Sequence, residues 1–303
     1  MKIGMIGMGA IGCAYGAQLS TAFGDDFFAI ANGRYYDDIM KNGIVSNGAE
    51  YKINVKNGDM AESADLIILL VKNYSLESAI ADITPFVGDN TILLPLLNGI
   101  TASETLRKAF PNNKVLDGLV IGIDATRLDR GSHCTSLGLV QFGEKVNTPP
   151  YSSEVNFVCD VLSKTQIPFE TPEDMPRTTW KKFMMNVGCN QVSAVCDCQI
   201  FECCAIPDFY PLTVGAMQEV VNLAKAKGIN LFESDKDNTA DFLAKFVKSA
   251  KSSMHQDMLA KRKTEVESFG GAIIAMSEEF SLKTPINEFL VAVIKGKETK
   301  NGF

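Results

Sequence analysis

The chain opens Met1-Lys2-Ile3-Gly4-Met5-Ile6-Gly7-Met8-Gly9-Ala10-Ile11-Gly12. Residues 1–6 are short and mainly apolar, as a buried strand requires. Residues 10–23 read as a helix whose small side chains, Ala10, Gly12, Ala14, Gly16 and Ala17, form the face that approaches a sheet. Gly7, Gly9 and Gly12 stand between strand and helix in G-x-G-x-x-G spacing. Without context that string means little. Directly after a strand and opening a helix, it is a dinucleotide fingerprint. Gly7 permits the tight turn, Gly9 lets backbone approach a pyrophosphate, and Gly12 lets helix and strand pack closely. The phosphates then sit on free N–H groups at the positive end of the helix dipole. Gly7, Met8, Gly9, Ala10, Ile11 and Gly12 are the first candidate cofactor residues.

Which dinucleotide binds depends on the end of the second strand, residues 27–31. An NAD site carries Asp or Glu there, bonded to the ribose hydroxyls. This chain has Ala31-Asn32-Gly33-Arg34 instead. The planar fork of Arg34 suits a 2′-phosphate. Lys72, just after a strand at residues 65–71, adds a second cation at the same carboxyl edge. Together they favour NADP over NAD.

Strand patterns at 65–71, 91–97 and 114–123 alternate with helical patterns at 75–86 and 102–110. The 91–97 strand closes on the turn pair Asn98-Gly99. Such alternation indicates a doubly wound parallel sheet. Residues 44–55 and 136–142 read as extra, antiparallel strands, and 151–163 as a helix. Beyond residue 171 strand signals fade, and helical patterns cover 176–195, 208–227, 238–266 and 269–280. The expected architecture is α/β: a Rossmann NADP-binding domain over residues 1–168, then an all-helical substrate and catalytic domain over residues 169–303.

Bulk properties narrow the function further. A net charge of −7 over 303 residues argues against a nucleic-acid surface, which needs basic residues. Any anion site must therefore be local. No apolar run approaches the ~20 residues that span a bilayer. The glycine-broken N-terminus, with one basic side chain, does not read as a leader, so a cytoplasmic enzyme is expected. Cys196, Cys198, Cys203 and Cys204 crowd together, but without paired C-x-x-C or a nearby His they read as buried thiols and not as a metal site. The C-terminal helices have exposed faces that could pair as a homodimer.

In the helical half, Trp180-Lys181-Lys182-Phe183-Met184-Met185-Asn186-Val187-Gly188-Cys189-Asn190 stands out. Lys182, Asn186 and Asn190 fall at i, i+4 and i+8, along one helix face. Asn is a poor mid-helix residue, so a stripe of one cation and two amides among Phe and Met calls for a functional reason. Further on come Ser252-Ser253-Met254-His255-Gln256-Asp257 and Lys261-Arg262-Lys263-Thr264-Glu265-Val266.

With these pieces in place the chain resembles the ketopantoate reductase (2-dehydropantoate 2-reductase) family. The matching elements are G-M-G-A-I-G, Val71-Lys72, Asn98-Gly99, W-K-K-F-M-M-N-V-G-C-N and S-S-M-H-Q-D…K-R-K-T-E-V-E. Their order and separations fit from residue 1 nearly to the end. The resemblance implies NADPH-dependent reduction of 2-dehydropantoate to pantoate, on the route to pantothenate and coenzyme A, with substrate in a cleft between the two domains. It implies Lys182 as the catalytic lysine and Glu265 as its active-site glutamate, also at the cofactor. It implies Asn98, Asn186, Asn190 and Ser253 as substrate contacts, and Arg34, Lys72 and Asn98 as cofactor contacts. Two features depart from the pattern: Gln191-Val192 follows Asn190 where Pro is common, and the cysteine cluster is foreign to it. The alternative is a paralogous reductase of another small 2-oxo acid.

Hydride attack on a ketone leaves negative charge on oxygen, which needs a proton or a strong hydrogen bond. The two histidines, His133 and His255, fall outside the implied acid position. A lysine's ordinary pKa of about 10.4 is high for this task. Burial would lower it, and Glu265 would oppose that shift.

Overall fold

In the computed structural model, which describes residues 1–128 and 131–303, the opening apolar run forms β1 (Ile3–Ile6), buried at every position. The glycine turn leads into α1 (Ala10–Phe23). There follow β2 (Phe27–Ile30), α2 (Gly33–Asn42), β3 (Ile44–Ser46), β4 (Ala49–Tyr51), β5 (Asn54–Lys56), β6 (Ala64–Leu69) and α3 (Leu76–Ile83). Next come β7 (Val87–Pro95), α4 (Ala102–Ala109), β8 (Lys114–Val115), β9 (Asp117–Leu128), β10 (Gly131–Gly143), α5 (Ser153–Ser163) and β11 (Phe169–Glu170).

Six strands make a sheet in the order β5-β2-β1-β6-β7-β8, and every pairing in it is parallel. Helices cover both faces, which is why β1 and β2 are buried throughout. One core gathers Tyr15, Leu19, Phe27 and Phe142. The other gathers Phe28, Ile83, Phe86 and Leu106. The strand order reverses beside β1, and ligands of such sheets lie outside the carboxyl ends of the strands at that point.

The extra strands behave less simply than expected. β3 and β4 form an antiparallel hairpin through Asn47 and Gly48, both at positive φ, as a tight primed turn demands. β5, however, joins the main sheet parallel to β2. β10 pairs antiparallel with β9 but parallel with β3 and β11. Because β11 pairs with β10 and Val146 bridges Asp174, the first compact unit runs past residue 168, to Met175.

The second unit, Pro176–Phe303, takes nearly all of α6 (Met175–Cys196), then α7 (Glu202–Ala205), α8 (Tyr210–Ala226), α9 (Glu233–Ala244), α10 (Ser253–Leu259), α11 (Gly270–Glu278) and α12 (Pro285–Lys300). The single helix expected over 238–266 is broken. α9 stops at Ala244, and α10 starts afresh on Ser252, whose hydroxyl accepts the His255 N–H. Lys261 then takes a positive φ, so Thr264 and Glu265 lie outside any α-helix. Three helices escaped the sequence reading, the four-residue α7 and two longer ones. α2 buries Ile39 alone, too little for a periodic signal. α12 begins on Pro285, and its first N–H groups are capped by a distant carboxylate: Glu219 of α8 accepts from Ile286 and Asn287 at 2.9 and 3.0 Å.

Candidate active site

At the glycine turn, Gly7 has φ +102°, and a Cβ there would lie 2.5 Å from the Leu70 carbonyl carbon. A Cβ at Gly12 would run into the Gly7 carbonyl oxygen. These two glycines hold the turn against β6 and α1 against the turn. Gly9 differs, since no protein atom lies within 4 Å of where its Cβ would be. Gly9 is also the N-cap of α1, and no side chain caps that helix. The first N–H groups of α1 are therefore left for an outside acceptor. A pyrophosphate fits this cradle.

The other nucleotide candidates line the same carboxyl edge. Arg34 stands in the first turn of α2, with its guanidinium 5.8 Å from the Tyr35 ring centroid. Lys72 is half-buried just beyond β6 and caps a short turn, Asn73–Ser75. Asn73 Nδ2 donates to the Asn98 carbonyl at 2.7 Å, joining the loops after β6 and β7. Lys72 and Asn98 are thus held on neighbouring loops. The sequence reading missed Arg127, near the end of β9. Its Nη1 donates to the Met8 carbonyl at 2.6 Å, inside the glycine turn. Nothing local marks Arg127, since its place depends on the β9–β10 pairing.

On α6 the two adjacent lysines have different work. Lys181 and Arg177 turn to the buried Asp235, at 3.6 and 2.8 Å. Asp235 also accepts the Phe232 N–H and so fixes the start of α9. Lys182 shares its face with Asn186 and Asn190. Both asparagines are largely buried, and neither side-chain amide has a protein hydrogen-bond partner among the described residues. Their amide atoms are not among the solvent-excluded, unpartnered ones, so they stay within reach of a ligand that could take their hydrogen bonds.

Glu265, buried in the segment after α10, acts electrostatically on Lys182. Lys182 is half-buried by its surface. Desolvation pulls its ammonium pKa from 10.5 down to about 8, and the Glu265 charge opposes the fall. Ser253 is exposed at the start of α10. The hydroxyls of Ser193, on α6, and Ser252 share a hydrogen bond of 2.6 Å, and His255 Nε2 lies 2.7 Å from Asp197 Oδ1. These two ties hold the start of α10, and with it Ser253, against the end of α6 beyond Asn190. The second unit thus gathers a desolvated ammonium, a carboxylate that acts on it and two unpartnered amides.

The family profile described as Ketopantoate reductase PanE/ApbA matches residues 3–147, and its C-terminal counterpart matches residues 174–298. The chain belongs to the ketopantoate reductase family. The 2-dehydropantoate 2-reductase of Streptococcus pyogenes serotype M18 (strain MGAS8232) is 27% identical over 305 residues, covering 98% of each chain. That of Pyrococcus horikoshii is 28% identical over 311 residues, covering 100% of this chain and 99% of its own. Among solved structures, a PanE/ApbA family ketopantoate reductase from Ralstonia eutropha JMP134 aligns with TM-score 0.87 at 21% identity over the whole of both chains. D-mandelate dehydrogenase in complex with NADH and anilino(oxo)acetate aligns with TM-score 0.89 at 22% identity, again over all of both. These likenesses establish the same fold: a Rossmann sheet followed by a helical domain.

The cysteines of this ketopantoate reductase family member are free thiols. Cys203 Sγ lies 3.8 Å from Cys198 Sγ and 4.0 Å from Cys189 Sγ. Cys198 and Cys203 are pushed up first by the hydrogen bond to a neighbouring thiol, with burial adding to it. Burial pushes Cys204 up to about 12. Thiols held protonated this way pack as small apolar groups. No helix among the described residues is long and apolar enough to cross a membrane.

Proposed function

We propose that this chain reduces 2-dehydropantoate to (R)-pantoate with NADPH, Lys182 acting as general acid. The observation that carries the reading is the Lys182–Glu265 pair beside two largely buried asparagines whose amides have no protein partner among the described residues. That set matches a small, polar, anionic substrate whose carbonyl oxygen gains charge during reaction. Gly7, Met8, Gly9, Ala10, Ile11 and Gly12 hold the pyrophosphate. Arg34 and Lys72 take the 2′-phosphate, for which the chain supplies cations and no acid at the end of β2. When bound, NADPH supplies the hydride.

The chain's own residues do the rest. Lys182 places its ammonium on the substrate carbonyl oxygen, stabilises the growing charge and gives up a proton to it. With a pKa near 8 it is largely charged at neutral pH and still a competent donor. Glu265 orients the ammonium and accepts a hydrogen bond from substrate or from the nicotinamide end of the cofactor. Asn98, Asn186 and Asn190 offer amide bonds, and Ser253 meets the substrate carboxylate.

The test is NADPH oxidation with 2-dehydropantoate, run beside 2-oxoisovalerate and 2-oxopantolactone. 2-Dehydropantoate is expected to give the highest kcat/KM. A clear preference for another 2-oxo acid would make the chain a paralogous reductase. Lys182→Ala is expected to lower turnover at least ~100-fold, the lower range for losing a positioned acid, while NADPH still binds. Near wild-type turnover in that variant would end the assignment.

A further inference from the structure

Most arginines among the described residues are neutralised. Arg107, Arg177 and Arg262 pair with Asp117, Asp235 and Asp257. Arg34 and Arg127 have no carboxylate within ion-pair distance among the described residues. In a chain of net charge −7, an uncompensated guanidinium is a strong local feature. Arg34 already has a task at the 2′-phosphate. Arg127 does not.

Arg127 reaches the glycine turn from β9. The β9–β10 pair packs on α1, and Tyr15 Oη of α1 donates to the Leu137 carbonyl of β10 at 2.8 Å, so the strand is fixed relative to the turn. Arg127 Nη1 donates to the Met8 carbonyl at 2.6 Å and stands 3.3 Å from Cys13 Sγ in the first turn of α1. Only this one nitrogen is engaged. Nε and Nη2 have no protein partner among the described residues, and the residue is exposed. A guanidinium anchored at one corner presents its remaining N–H groups as a fork, the geometry that matches phosphate oxygens.

We propose that Arg127 is a cofactor-binding residue that clamps the dinucleotide pyrophosphate against the glycine turn. The proposal rests on the dinucleotide reading given above. The turn itself offers only neutral N–H groups and a helix dipole, whereas the pyrophosphate is doubly charged. Arg127 supplies the formal charge, and its bond to Met8 sets that charge in place before the ligand arrives. The competing job for Arg127 is structural, to hold the Met8 carbonyl and nothing more.

The test titrates the full chain with NADPH, NADH and 2′-AMP, which carries the 2′-phosphate without a pyrophosphate. Arg127→Gln keeps a neutral donor for Met8, Arg127→Lys keeps the charge, and Arg34→Ala serves as the 2′-phosphate control. Arg127→Gln is expected to weaken NADPH and NADH by the same factor, about tenfold or more, as for a lost charge-assisted hydrogen bond. Its 2′-AMP affinity stays at the wild-type value, and its NADPH affinity varies less steeply with salt. Arg127→Lys recovers most of the loss. Arg34→Ala loses NADPH and 2′-AMP but spares NADH. Wild-type NADPH affinity in Arg127→Gln would overturn the clamp, and so would a loss confined to NADPH. If the wild-type chain binds neither NADPH nor NADH, it is the dinucleotide reading that fails. Thermal unfolding without ligand confirms that each variant folds.

Discussion

Lys182 is where chemistry and environment meet most directly. Its pKa is lowered by desolvation to about 8, with Glu265 pulling the other way. An acid must hold its proton to donate it. The kcat/KM profile, which reports the free enzyme, is therefore expected to be flat below about pH 8 and to fall tenfold per unit above it. Glu265→Gln removes the charge that keeps the proton on Lys182, so the descending limb moves to lower pH. A limb that stays in place, or moves up, would break the link between the two residues. Much of this site was legible in the sequence. The spacing of Lys182, Asn186 and Asn190 put them on one face before any coordinates. What spacing could not say is which of Lys181 and Lys182 turns inward. That follows from Asp235, which claims Lys181 and Arg177 from far along the chain. Arg127 was invisible for the same reason: its meaning lies in a contact with Met8 that only the strand pairing creates.

Elements bounded by their own residues were read well, and those bounded by distant partners were not. α1 runs from Ala10 to Phe23 because glycines open it and Gly24, at φ +51°, ends it. The break between α9 and α10 depends on Ser252 finding both His255 N–H and Ser193. The start of α12 depends on Glu219. The glycine turn permits a sharper test, because its glycines are needed for separate reasons. Gly9 has an ordinary φ of −76° and open space beside it. Gly9→Ala is expected to leave unfolding free energy within about 0.5 kcal/mol while weakening NADPH binding. Gly12→Ala drives a Cβ into the Gly7 carbonyl and is expected to cost about 1–3 kcal/mol, as overpacking does. Urea unfolding beside NADPH titration separates the two. Equal stability of both variants would mean that the close approach of α1 to its turn is dispensable.

The proposed roles divide between the two units as the chain does. The glycine turn, Arg34, Lys72, Asn98 and Arg127 all belong to Met1–Met175, while Lys182, Asn186, Asn190, Ser253 and Glu265 belong to Pro176–Phe303. Each function can therefore be followed by a signal from its own unit. The lone tryptophan, Trp180, is buried on α6, so its emission reports the helical unit. The β-sheet signal in circular dichroism comes almost wholly from the first. A ligand that binds only the folded state adds RT ln(1 + [L]/Kd), about 2.7 kcal/mol at a hundredfold excess over Kd. NADP at that excess is expected to shift the β-sheet transition upward by this amount, whatever Trp180 does. NAD at the same concentration is expected to shift it much less, because Arg34 and Lys72 have no 2′-phosphate to meet. A shift seen by Trp180 and absent from the β-sheet signal would put the nucleotide on the wrong unit. The glycine turn would then be a close-packed corner of the fold with no ligand of its own.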